Sequence, residues 1–442
     1  MRWISLKIII LILLVGLNRN VYSQAQPVEI TSYDIHASFN PAGGELQVSA
    51  SLELNKADSL SEFVLMLSSA AKIGVIRAVA GKGSVKLTYE FAGKDSLRLT
   101  IPPELAFSRS MTVDFKYTIP IGEPMGSVVM LDRGNRWYPL IMDQIARFKL
   151  TASVPKGYVT YASGDFIEKS ETGRQARFIW ESKIPVFKLP LIIAKSDFYR
   201  DATLPLDSNS IIFHYSSVDQ ETKEKLLAEA GNAFRFYSGH IGEYPHNNLT
   251  LIEIPGMEGT DIASGLLMIG SKSLEGFKQG YYDELLLSEA CQWVAAGVFF
   301  KFQGKGFWFL QLSLPHYLKL MYVKQSRGTI AFDQNLKSGL DAFKGIAGTE
   351  KEVAIMDVDF PNTREKATAI YGKGPYVIDL VRKQIGDENW EKFLQDIYKN
   401  FLGKILTYDE FVSYLSKYDQ DRTAVARLNK MLTEKGVPEE NK

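Results

Sequence analysis

A single cysteine, Cys291, in 442 residues excludes an intramolecular disulfide, and no cysteine follows the N-terminal apolar run to carry a lipid anchor. Histidine is scarce as well: His36, His214, His240, His246 and His316 are the whole supply. None of them lies near Cys291 in sequence, so a thiolate–imidazole pair has no local support, and a buried structural thiol is the favoured reading. Neither charge is in excess, with 51 Lys and Arg against 51 Asp and Glu. That balance argues against nucleic acid or an anionic membrane as the main partner. Internal repeats and low-complexity tracts are absent, and the one long apolar run, Ile8–Leu17, is too short for a bilayer, which takes about 20 residues.

The same run has a basic start in Arg2 and Lys7 and is followed by Val21-Tyr22-Ser23, a pattern that suits signal-peptidase cleavage before Gln24. The alternative is an uncleaved anchor. Cleavage leaves 442 − 23 = 419 residues and removes Arg2, Lys7 and Arg19, so the mature charge is 48 − 51 = −3. An exported chain, periplasmic or secreted and without stable membrane insertion, is the expectation. With 45% hydrophobic residues it can bury large cores, and its length suggests two or three domains.

From Val28 to about Asp201 apolar and polar residues alternate in short runs, as in Glu45–Leu54, Ser96–Ile101, Met111–Tyr117 and Phe148–Val154, separated by turn residues. This predicts a β-sandwich. After Pro205 the pattern becomes mixed: a helix over Gln220–Ser238, then a strand over Asn248–Pro255 that runs directly into Gly256-Met257-Glu258-Gly259. The stretch from Leu285 to Phe300 is apolar on nearly every side, which predicts a buried helix. A Gly-rich break and a second helix entered at Trp308 follow it. Thr407-Tyr-Asp-Glu410 has the spacing of a helix-capping box, and the charged tail from Glu434 is expected to fray.

Several of these landmarks resemble the aminopeptidase N family of gluzincin zinc metallopeptidases. Gly242-Glu-Tyr-Pro245, the strand ending at Pro255, Met257-Glu258, Gln292-Trp293, Trp308 and Tyr371-Gly-Lys-Gly374 carry the likeness, with Trp137-Tyr-Pro139, Pro155-Lys-Gly157 and Ala162-Ser-Gly164 upstream. The resemblance implies an N-terminal β-sandwich domain at 24–203, a thermolysin-like α/β and helical peptidase-type domain at 204–433, and a charged tail at 434–442. It also implies that the Asn248–Pro255 strand edges a cleft, that Gly256, Met257 and Glu258 hold the free amine of a peptide, and that Tyr371 is the oxyanion-stabilising tyrosine. A surface glutamate in a Gly-rich loop is the plain alternative for Glu258, and Gly259 departs from the family's Asn.

The family's zinc motif does not survive the same alignment. Gln292-Trp293 places Leu287 and Cys291 at the two histidine ligands and Ser288 at the general base, and Trp308 places Gln311 at the third ligand. Catalytic zinc requires about three protein ligands and an open water position. No cofactor is therefore expected, zinc being the one implied if the alignment of ligands fails. The implied function is an exported aminopeptidase-like protein without zinc-dependent peptidase activity, binding peptides, protein N-termini or other partners through the retained cleft. The alternatives are a structural assembly component, or an active metallo-aminopeptidase built atypically from Glu289, Cys291 and His316.

Overall fold

The computed structural model describes residues 28–439 except Lys82, Glu123, Pro124, Gly126 and Asp421. The expected signal segment 1–23 lies outside the described residues. No helix among the described residues is long and apolar enough to cross a membrane.

The alternating runs form strands as expected. An eight-stranded sheet takes the order Asp165–Thr172, Gln175–Glu181, Arg147–Pro155, Val28–Asn40, Glu45–Lys56, Ser110–Pro120, Lys72–Ala80 and Gly83–Lys86. Its strands pair antiparallel except Val28–Asn40 with Arg147–Pro155, where Ser32 sits opposite Arg147. Two three-stranded sheets complete the sandwich-like architecture. Period-two burial along Glu45–Lys56 shows why: Leu46, Val48, Ala50, Leu52 and Leu54 all face inward. Trp137, fully buried, donates its indole N–H to the Leu189 carbonyl at 3.1 Å, and its own carbonyl accepts from the Tyr117 hydroxyl at 2.8 Å.

A five-stranded mixed sheet follows, in the order Arg200–Pro205, Ser210–Tyr215, Asn248–Ile254, Leu266–Gly270 and Thr260–Ala263. The Asn248–Ile254 strand is parallel to both of its neighbours and therefore interior. The strand expected to edge a cleft is central in its sheet and so is not the sheet's own edge. The sheet instead ends on Thr260–Ala263, which comes just after Glu258.

The chain divides into two compact units, and the division does not fall at residue 203. One unit runs to Val218 and takes in His246–Glu275; the other comprises Asp219–Pro245 and the chain from Gly276 onward. The first unit keeps the five-stranded sheet because Ile252, Ile254, Met257, Leu266 and Met268 share one continuous apolar core with the sandwich strands. Polar ties reinforce the join. Lys188 pairs with Asp261 at 2.5 Å, and the Tyr199 hydroxyl donates to the Glu253 carbonyl at 2.6 Å.

The second unit is helical. Asp219 caps the Gln220–His240 helix by accepting the Thr222 amide at 2.8 Å, and Thr407 with Glu410 forms the expected capping box. The Asp283–Val294 helix is buried over every residue from Leu285 to Val294, but it stops short of Phe300. Gly297 folds back so closely that a Cβ there would lie 2.6 Å from the Trp293 carbonyl oxygen, and Phe299–Phe300 then pairs as a short strand with Ile405–Leu406. The tail does not fray where it is described. The Lys373 ammonium donates to the Glu434 carbonyl at 2.6 Å, and the Gly436 amide donates to buried Glu352 at 2.5 Å.

One buried polar chain fixes the hairpin that ends the five-stranded sheet. His246 Nε2 lies 2.8 Å from the Ser264 hydroxyl, and its Nδ1 lies 3.6 Å from Asp165, whose other oxygen accepts the Asn247 amide at 2.7 Å. The residue types are those of a serine hydrolase triad, yet Ser264, His246 and Asp165 are 5%, 1% and 3% exposed, so the chain acts as an internal tie. Burial alone would raise the Asp165 carboxyl; the nearby His246 imidazole and the hydrogen bond from the Asn247 amide outweigh it and hold the group below the usual carboxylate range. His246→Ala leaves that carboxylate underpartnered in the interior and is expected to cost about 2 to 3 kcal/mol in denaturant unfolding, with Ser264→Ala costing less.

Candidate functional site

The candidate residues lie in both units. In the sheet-rich unit the Asn248–Ile254 strand delivers the loop Gly256-Met257-Glu258-Gly259. Glu253, at the end of that strand, is buried and accepts from the amides of Ser216 and Ser217 at 2.7 and 3.0 Å and from the Ser217 hydroxyl at 2.6 Å. Burial opposes its ionisation, but these donors prevail and hold the carboxyl below its ordinary range. A fixed anion thus anchors the strand's end, and the loop leaves from a rigid base.

Within the loop, Met257 points into the core at 4% exposure, so its side chain contributes packing. Glu258 projects outward with its side chain 67% exposed and pairs with the ammonium of Lys272, itself 69% exposed. Gly259 adopts φ +74°, a left-handed conformation open to glycine and, next most readily, to asparagine. The departure from the family's Asn at this position therefore preserves the backbone.

In the helical unit the Gln292-Trp293 pair proves to be a packing device. Trp293 donates its indole N–H to the Gly242 carbonyl at 2.8 Å, and Gln292 accepts from the Tyr244 hydroxyl at 3.1 Å. Phe234, Tyr237 and Tyr244 surround the indole at centroid distances of 5.1 to 5.4 Å. Two motif fragments that carry the family resemblance, Gly-x-Tyr-Pro and Gln-Trp, are therefore one contact.

Gln311 and Tyr371 share an unusual setting. Each sits in the middle of a π-turn, Phe309–Ser313 and Ala369–Lys373, inside an otherwise continuous helix. Each is followed four residues later by a proline, Pro315 or Pro375. A proline cannot donate to the carbonyl four residues back, and its ring crowds that oxygen; widening the preceding turn relieves the clash. The two turns are tied together by the Ser313 hydroxyl, which donates to the Ile370 carbonyl at 2.6 Å. The two prolines, each four residues after the turn's central residue, are the sequence signal for this.

Tyr371 is half-buried, edge-on to His316 at 5.5 Å between ring centroids. Burial and then the nearby Cys291 push the phenol upward, so it remains a hydrogen-bond donor. Burial, and secondarily Lys319, pushes His316 well below the ordinary imidazole range, which keeps that ring neutral. Burial also pushes the Cys291 thiol up to about 12.

The three positions aligned with zinc ligands thus offer a hydrocarbon (Leu287), a thiol that stays protonated (Cys291) and an amide (Gln311). Leu287 has no lone pair, which leaves a thiol and an amide where a catalytic zinc requires about three protein ligands, so this donor set does not fit one. Ser288, at the position of the general base, is buried at 5% exposure and carries no group that titrates near neutral pH. The atypical trio fares no better. Both Glu289 oxygens are fully buried without a hydrogen-bond partner, near Glu229, whereas Cys291 neighbours Tyr371. Among the described residues no three His, Cys, Asp or Glu side chains converge to hold a metal.

No family model matches the sequence, and no curated protein does. Solved structures do: the fold is that of the M1 zinc metallopeptidases. An M1 zinc metallopeptidase variant from Deinococcus radiodurans bound to a Tyr-Ser-Ala substrate aligns with TM-score 0.75 at 16% identity, covering 94% of this chain and 96% of that one. A two-domain M1 variant bound to L-arginine aligns at 0.74 and another M1 structure from Deinococcus radiodurans at 0.73, with the same identity and coverage.

Burial of Glu289 gives a pH test. Burial and then Glu229 raise its carboxyl well above the ordinary value near 4.5. Below that value folded and unfolded chains are both protonated. As pH rises through it, only the unfolded chain releases the proton, so the folded state loses stability. Glu289→Leu is expected to raise the melting temperature, and the gap to the parent should widen from about pH 4 to about pH 8 in calorimetry.

Proposed function

We propose that this chain is an exported, non-catalytic relative of the aminopeptidase fold that holds the amino terminus of peptides or protein partners with Glu258. The observation that carries the reading is the contrast between two sets of aligned positions. Leu287, Ser288, Cys291 and Gln311 lack the chemistry for zinc and for a general base, while Glu258 keeps a projecting carboxylate on an anchored loop. Peptide hydrolysis at a useful rate draws on metal polarisation of the carbonyl and on a water whose pKa is lowered to about 7. Without those, a retained ammonium site binds and releases without turnover, and a carboxylate–ammonium pair is the charge-assisted contact that recognises a free terminus. Tyr371, a protonated phenol, supplies a hydrogen-bond donor in its own unit and stabilises no oxyanion in this reading.

The test is binding of labelled peptides to the mature chain. Free-amine peptides should bind about five-fold more tightly than their acetylated counterparts, and Glu258→Gln should remove the difference while leaving the acetylated peptides unchanged. Equal binding of both forms, or none, defeats the reading and favours an assembly role. Metal content and aminoacyl-reporter hydrolysis should both sit at background, with chelation leaving the melting temperature unmoved. Export is checked separately: the mature protein should begin at Gln24 and fractionate outside the cytoplasm without membranes.

A further inference from the structure

Glu258 is not presented to a ligand alone. Lys272, in the first turn of the Ser271–Lys278 helix, places its ammonium on the Glu258 carboxylate, and both side chains are about two-thirds exposed. An exposed pair of this kind is held weakly and exchanges partners readily. A peptide ammonium that takes Glu258 therefore releases Lys272 within reach of the ligand's first residue, where the lysine needs a new anion.

We propose that the Glu258–Lys272 pair selects peptides whose first residue is acidic, a deepening that rests on the amino-terminus reading above. The ligand's α-ammonium replaces Lys272 on Glu258, and the side-chain carboxylate of an initial Asp or Glu accepts Lys272 in turn. Two charges on the protein meet two opposite charges carried on one residue of the ligand. An initial Ala leaves Lys272 without its partner, and an initial Lys or Arg adds a like charge beside it. Glu253 takes no part, since its carboxylate is occupied by Ser216, Ser217 and Ser271.

The experiment measures fluorescence anisotropy with four free-amine peptides that differ only in an initial Glu, Asp, Ala or Lys, together with an acetylated Ala control, on the full mature chain. Peptides beginning with Glu or Asp should bind about three- to five-fold more tightly than the Ala peptide, and the Lys peptide most weakly. Lys272→Met should abolish the acidic preference without weakening the Ala peptide, and Lys272→Glu should invert the order to favour Lys. The preference should shrink as salt is raised. If the free Ala peptide still outbinds its acetylated form but the first residue makes no difference, or Lys272→Met leaves the preference intact, the selectivity proposal is overturned and the amino-terminus reading stands. If free and acetylated peptides are alike, both fall. Lys272 is exposed, so its variants are expected to fold as the parent does.

Discussion

The indole of Trp293 is the contact on which the helical unit depends. A helix buried on every side has no polar face to orient it, so its position must be set by directional contacts. Here Trp293 bonds the Gly242 carbonyl and is boxed by Phe234, Tyr237 and Tyr244, while Gln292 meets the Tyr244 hydroxyl. The placement of Leu287, Ser288 and Cys291 follows from that tie. It would be the same whether those positions carried metal ligands or not. Leu287 and Cys291, four residues apart, share a face of this helix, and Trp293 projects from another.

The loop of Glu258 shows the same separation from the other side. Its rigidity comes from Glu253 and its donors and from Met257 in the core, neither of which needs a catalytic centre. The Glu258 loop is therefore held by packing and hydrogen bonds within its own unit.

Much of the architecture could be read from local pattern. Period-two runs located the Glu45–Lys56, Ser110–Pro120 and Arg147–Pro155 strands, and Thr407 with Glu410 announced its helix. What escaped was set by long-range geometry. The apolar run to Phe300 looked uniformly helical because periodicity does not register the close approach at Gly297. The place of the Asn248–Ile254 strand in its sheet depends on pairing order, which no single strand encodes. Asp165 and Asn247, joined in the buried tie, are 82 residues apart in sequence. The isolation of Glu289 could not be read either, since a lone Glu on an apolar helix looks the same in sequence whether or not a partner waits across the interface. At the candidate site, residue identities give the donor chemistry of Leu287, Cys291 and Gln311, while the π-turns under Gln311 and Tyr371 required the backbone.

The anchored tail bears on the order in which the protein can finish folding. Lys373, two residues after Tyr371, is buried, and the carbonyl that accepts its ammonium belongs to Glu434, 61 residues later in the chain. During synthesis the turn that carries Tyr371 emerges before the carbonyl that accepts the Lys373 ammonium, with only the Phe343 ring and Glu352 among its partners already made. The helices between them have to be made and packed before the Glu434 segment arrives to close it. That half of the molecule is sealed late, and until then Lys373 must either stay hydrated or hold the turn open.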